Sequence, residues 1–348
     1  MLTKVQTSKL DPQGMKKLLE EFPKQVAEAI KIGNDAKIKL NLKNINSIVL
    51  SGLGGSAIGG DLLRSYLSDD LKIPFSVSRN YFLPNFVDKN TLVIIGSYSG
   101  NTEETIASYK DAIKKGAKIL AVSSGGVVTE MAKKNNHALI KIPGGLPPRA
   151  ALGYSFFPLL VTFSKLKLIK NQSVALKETL AMLKNKSKEF SSDNNATIEL
   201  AKEIFGKLPI VFSSADRIDS VNIRWRGQIN ENSKSLAYGH FFPELNHNEV
   251  VGWESLKGMM KNSHIIYLRD KEDHKRVALR MEITKDIIGK YADGITEVWS
   301  EGKSLLTRIF SLIHFGDWVS FYLAMLNNVD PTPVKKIDYL KQKLSEVK

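Results

Sequence analysis

From residue 47 to 142 the chain repeats one texture: a short β-branched run, a turn, then a stretch with helically spaced apolar positions. Strand runs fall at 47–51, 75–79, 91–97, 118–123 and 138–142, and helical patterns at 57–67, 102–115 and 127–135. Parallel strands need a crossover between them, and a helix is the usual one. The alternation therefore predicts a parallel sheet with helices on its faces. A helical run at 154–168 closes this unit, after an opening helix at 15–32. The second half repeats the texture, with strands at 209–214, 263–269 and 294–300 and helices at 220–236, 274–291 and 303–326. A charged helix at 174–190 and the polar stretch 191–197 read as the bridge between the halves. The expectation is an α/β chain of two similar units, each a parallel sheet flanked by helices. They divide as 1–170 and 171–328, with a terminal helical segment at 329–348 behind the punctuation of Asp330-Pro331-Thr332-Pro333.

At 348 residues the chain has room for two such units. Its composition, 43% hydrophobic and 25% charged, supports a large core and excludes a disordered or low-complexity chain. Cysteine is absent, which excludes disulfides, a thiolate nucleophile and a cysteine zinc site. Fifty Lys and Arg against 36 Asp and Glu leave a net charge of +14, which admits nucleic acid, an anionic membrane or a phosphorylated small molecule. The lysines are spread over the helices rather than interleaved with aromatics, so a solvated surface is expected and no nucleic-acid partner. The apolar stretch 309–326 is interrupted by His314, Gly316, Asp317 and Ser320 and is expected as a buried helix, not a membrane span. Residues 1–14 lack the apolar core of a signal peptide, and the expected compartment is cytoplasmic.

Two loops stand out chemically. Ser51-Gly52-Leu53-Gly54-Gly55-Ser56-Ala57 follows a strand and opens a helix, so free N–H groups converge on one spot. The spacing Gly52-x-Gly54-x-x-Ala57 satisfies a loose dinucleotide fingerprint, which also wants an acid about twenty residues on. That region holds Ser78-Arg79-Asn80 instead, leaving open only an NADP reading through Arg79. No Gly-Lys-Ser/Thr ends the loop, against a nucleotide-hydrolysing P-loop. The second loop is Ser97-Tyr98-Ser99-Gly100-Asn101-Thr102-Glu103-Glu104. Asn101 and Glu104 have capping-box spacing, yet Ser97, Ser99 and Thr102 around one glycine exceed what capping requires. Both loops are expected above the carboxyl ends of neighbouring strands, as a cradle for one phosphate.

Other candidates are more ambiguous. Arg149 ends a stiff turn, Gly144-Gly145-Leu146-Pro147-Pro148-Arg149, that suits either presentation of a guanidinium to an oxyanion or a surface arginine. Glu231 lies near the end of a helical pattern among amides and arginines, as an ion-pair partner or a base. In HFFPELNHNEVVGW, residues 240–253, histidines suit proton transfer near neutral pH. His240, Glu244, His247 and Glu249 could pose as a metal cluster, but Pro243 breaks the helix that would align them, and no metal is expected. No Gly-x-Ser-x-Gly elbow supports a nucleophilic triad. Lys335, Lys336 and Lys341 share the last helix, where lysines usually face solvent.

Taken together, GLGGSAIGGDLL, SYSGNTEET, PGGLPPRAALGY, QINENSKSLA, PELNHNEVVGW and DPTPVKKIDYLK resemble the bifunctional phosphoglucose/phosphomannose isomerase family, in its order from residue 52 to 341. The first two alone would indicate only a sugar-isomerase (SIS) domain; the later four are far more specific. The resemblance implies two SIS domains, a homodimer, and interconversion of fructose 6-phosphate with glucose 6-phosphate and mannose 6-phosphate. It implies that Gly55, Ser56, Ser97, Ser99, Thr102 and Arg149 bind the sugar phosphate, that Glu231 shuttles the proton and that His247 opens the ring. Lys341, in an Ile-x-x-Leu-Lys pattern, is implied as the carboxy-terminal catalytic lysine, with Lys335 and Lys336 as neighbouring alternatives. In the family the histidine comes from the partner subunit. No cofactor is implied. The rival expectation is a non-catalytic SIS-domain sensor, which would keep the hydroxyl loops and have no use for Glu231 or His247.

Overall fold

A computed structural model describes residues 9–346; the expectation for the amino-terminal segment falls mostly outside them. The first sheet holds β1 (Ser47–Ser51), β2 (Phe75–Ser78), β3 (Thr91–Ser97), β4 (Lys118–Ser123) and β5 (Ala138–Lys141), all parallel, in the order β2-β1-β3-β4-β5. The second holds β6 (Leu208–Ser214), β7 (Tyr238–Phe242), β8 (Ser263–Arg269) and β9 (Gly294–Trp299), also parallel, ordered β7-β6-β8-β9. Central strands β1, β3 and β8 are buried throughout, which is why they read as unbroken apolar runs rather than alternating ones.

Each sheet turns one face to a shared core and the other to a core of its own. Ile48, Leu50, Leu92 and Ile94 enter the shared core; Val49, Val93 and Ile95 pack instead beneath helices Glu103–Lys114 and Gly126–Lys134. In the second sheet Val211, Ile266 and Leu268 join the shared core, while Ile210, Phe212, Ile265 and Tyr267 meet helix Lys275–Ile288. Filling the middle are helices Phe22–Asp35, Gly54–Leu67, Leu152–Lys165, Ser173–Phe190, Asp219–Ser233 and Leu305–Leu326. The last is long and apolar enough to cross a membrane, but nearly all of it lies inside the protein. Its one acid, Asp317, is paired with Arg224 at 2.7 Å, so the buried charge is compensated.

Three local expectations change. The opening helix is two, Met15–Glu20 and Phe22–Asp35, divided where Pro23 sits in the first turn of the second. The helix expected to 236 ends at Ser233, where Lys234 turns left-handed at φ 56°. Strand β7 (Tyr238–Phe242) follows it, where the sequence pattern led to no strand. The helix Asp219–Ser233 thus runs from the carboxyl edge of the second sheet to its amino edge, and β7 returns. Glu231 and the turn after β7 therefore stand at opposite edges, separated by a helix about 22 Å long.

Candidate active site

At the carboxyl edge of the first sheet two turns face each other. Leu53 and Thr102 are the N-caps of helices Gly54–Leu67 and Glu103–Lys114, both extended, and neither helix has a side-chain cap. Their first N–H groups are thus left for another acceptor. The capping box expected at Asn101 and Glu104 does not form: Asn101 Oδ1 instead accepts from Val127 N at 3.1 Å, tying this turn to the next one. Ser97 Oγ donates to Thr102 Oγ1 at 3.2 Å and accepts from Gly100 N at 3.1 Å; Ser99 Oγ accepts from Asn101 N at 3.2 Å. Ser56 Oγ accepts from Tyr98 N at 3.1 Å and so joins the two turns. Glycine is obligatory at Gly100, where φ is 75° and a Cβ would stand 1.8 Å from the Gly125 carbonyl.

Gly55 connects this cradle to Arg149, since a Cβ on it would lie 2.5 Å from the Pro148 carbonyl. Arg149 is no surface residue; it is 5% exposed. Its Nε donates to Asn232 Oδ1 at 2.6 Å, and Nη2 donates to the Pro331 and Thr332 carbonyls at 2.6 and 2.8 Å. Nη1 is 3.5 Å from Glu231 Oε2, and that carboxylate side chain is 34% exposed. The Arg149 carbonyl accepts from Arg224 Nη2 at 3.1 Å. Burial lowers the guanidinium's pKa from its usual value, opposed by the Glu231 charge. One side chain thus joins the first half, the Asp219–Ser233 helix and the Asp330–Pro333 segment.

Lys234 completes the group and was missed in the sequence. Its left-handed backbone swings the side chain back, so that Nζ donates to the Glu231 and Pro331 carbonyls. Burial and the Arg149 charge hold its pKa below the usual range. The only available signal was its position three residues after Glu231, which helical spacing made look like a surface lysine.

Two expected residues are not brought to this group. His247 ends a short 3₁₀ turn, Glu244–His247, and is exposed. Its turn is anchored by buried Leu245, by Asn246 Nδ2 donating to Thr284 Oγ1 at 2.7 Å, and by Tyr238 Oη donating to Glu249 at 3.0 Å. Lys341 lies on helix Lys335–Glu346, of which no residue is buried. Among the described residues no His, Asp and Glu cluster stands close enough to hold a metal. Arg79, the residue that kept an NADP reading open, is engaged by Asp61.

Residues 41–144 match the family model described as SIS domain, and residues 193–344 that of the bacterial phospho-glucose isomerase C-terminal SIS domain. The chain is 49% identical over 331 residues to the bifunctional phosphoglucose/phosphomannose isomerase of Caldicellulosiruptor bescii, covering 94% of this chain and 98% of that one. To the protein of the same name from Thermoplasma acidophilum it is 38% identical over 302 residues, 86% and 90% of the two chains. Among solved structures, a hypothetical protein of Thermus thermophilus superposes with a TM-score of 0.72 at 13% identity, over 96% of this chain and 91% of that one, a likeness of fold.

Proposed function

The chain belongs to the bifunctional phosphoglucose/phosphomannose isomerase family and is a sugar-phosphate isomerase, and from that premise we propose that it interconverts fructose 6-phosphate with glucose 6-phosphate and mannose 6-phosphate through an enediol. The observation that carries the reading is the Arg149 junction, which sets a solvent-open carboxylate beside a fixed cation next to an anion cradle. Gly55, Ser56, Ser97, Ser99 and Thr102 hold the phosphate and so position the sugar. Glu231 carries the proton between C1 and C2, a task for one carboxylate within hydrogen-bond reach. Arg149, with Lys234 behind it, stabilises the developing enediolate oxygen. A base acting on both faces of C2 accounts for two epimeric products. Every step uses a carboxylate, an imidazole or a cation, so the chemistry calls for no cofactor. We assign the phosphate site to residues 1–170, the base and histidine to 171–328, and an assisting role to Lys341 within 329–348.

Ring opening is assigned to His247, and the topology supports its supply by the other copy. Glu231 and His247 of one chain sit at opposite edges of the second sheet. A symmetric dimer resolves this by giving each site the other chain's imidazole. The test is complementation. Glu231→Gln and His247→Ala chains are each nearly inactive; mixed and re-equilibrated, they recover about a quarter of wild-type turnover, because half the dimers carry one intact site of two. No recovery on mixing contradicts the shared site.

A further inference from the structure

Two apolar faces of the described chain have nothing over them. On helix Lys335–Glu346, Ile337, Leu340 and Leu344 recur at helical spacing and are 41 to 58% exposed. On helix Lys275–Ile288, Leu279, Ile283 and Ile287 recur every four residues, 45 to 49% exposed, while Met281, Thr284 and Ile288 pack inward. This second stripe lines a groove of about 300 Å³ whose other wall is Asn246 and Val250, beside His247. A twelve-residue helix with no buried side chain is marginal in water and needs a surface for its apolar stripe.

We propose that in the dimer the Lys335–Glu346 helix of each protomer lies in the groove of its partner. This rests on the reading above that His247 serves the other chain's site. Three apolar side chains meet three, and their midpoints, Leu340 and Ile283, come together whichever way the helix runs. The helix hangs from Pro331 and Thr332, whose carbonyls Arg149 fixes next to Glu231. Seating it beside the partner's Asn246 draws the partner's His247 toward that same Glu231. A protomer's own groove is a poorer seat. It lies on the outer face of the second sheet, whereas the Asp219–Ser233 helix and its Glu231 pack on the inner face. Each protomer gives one helix and receives one, as an isologous contact requires.

The absence of cysteine makes the test direct. Leu340→Cys and Ile283→Cys chains bearing different tags are mixed, re-equilibrated and oxidised. The expected result is a disulfide-linked pair of the two tags, at least tenfold above a control that replaces Leu340→Cys with Val174→Cys, an 80% exposed site. A yield no higher than the control, or an intrachain disulfide in a chain carrying both Leu340→Cys and Ile283→Cys, overturns the proposal. Ile283→Glu, at a half-exposed position, should weaken dimerisation at least tenfold in sedimentation while leaving the circular dichroism melt of the monomer intact. Unchanged dimerisation in both Ile283→Glu and Leu340→Glu overturns it as well. The complementation assay separates the failures: recovered activity without the cross-link rejects this docking alone, and no recovery rejects the shared site with it.

Discussion

Arg149 makes one contact with Asn232, two with the Pro331 and Thr332 carbonyls and one with Glu231, in a geometry only a planar fork provides. Arg149→Lys keeps the charge and forfeits the fork. We expect kcat/KM to fall about 10- to 100-fold and urea stability to drop by about 2 kcal/mol, each lost charge-assisted bond costing that order. Wild-type kinetics in that variant would leave Arg149 a structural tie with no part in the reaction. Glu231→Gln preserves shape and removes the base: kcat should fall about 10²- to 10⁴-fold with KM near wild type. A raised KM with unchanged kcat would make Glu231 a binding residue. At this scale the sequence was readable for type and not for company. A stiff turn ending in arginine looks the same whether solvent or a carboxylate meets it, and Arg149's partners lie more than eighty residues away. Lys234 was invisible because its left-handed backbone has no mark in the sequence.

The elements were largely legible, because burial on both faces of β1, β3 and β8 writes itself as apolar runs. Strand β7 was not: it is an edge strand of five residues, of which only Phe242 is buried, with Gly239 inside it. The turn at Ser97–Thr102 shows the other limit. Its Asn101 has a capping residue's spacing, yet a neighbouring turn claims its oxygen, and that neighbour is placed by the sheet rather than by local sequence. The element-scale prediction concerns Gly55. In Gly55→Ala the new methyl meets the Pro148 carbonyl at 2.5 Å, so the cradle and the Arg149 turn must part. KM for fructose 6-phosphate should rise at least tenfold while the thermal midpoint moves little; an unchanged KM would disconnect the cradle from the turn.

Across the molecule, two similar units were legible from the repeated alternation, but not that they share one core. That core forms because helices from both halves bring apolar stripes to the same place, and it buries His314 completely. Ser187 Oγ and Trp318 Nε1 lie 2.9 and 3.2 Å from its Nε2, and burial pushes its pKa down to about 3. Its neutral form therefore stabilises the fold above the unfolded-state value near 6.5, and that contribution is lost as pH falls from there toward 3. Between pH 7 and pH 5 this group alone should remove about 2 kcal/mol of stability. Urea titrations at the two values should show His314→Gln weaker at pH 7 but flatter in pH by that amount. An equal slope in both proteins would contradict it.

The function we propose for the whole chain comes down to proton transfer by one site that makes both epimers. Incubation with fructose 6-phosphate in heavy water, followed by proton NMR, tests it without intermediaries. Glucose 6-phosphate and mannose 6-phosphate should both appear, with deuterium entering C2 as far as the Glu231 carboxyl exchanges its proton with solvent, and Glu231→Gln should form both about 10²- to 10⁴-fold more slowly. A single epimer formed, or binding without turnover, would contradict it.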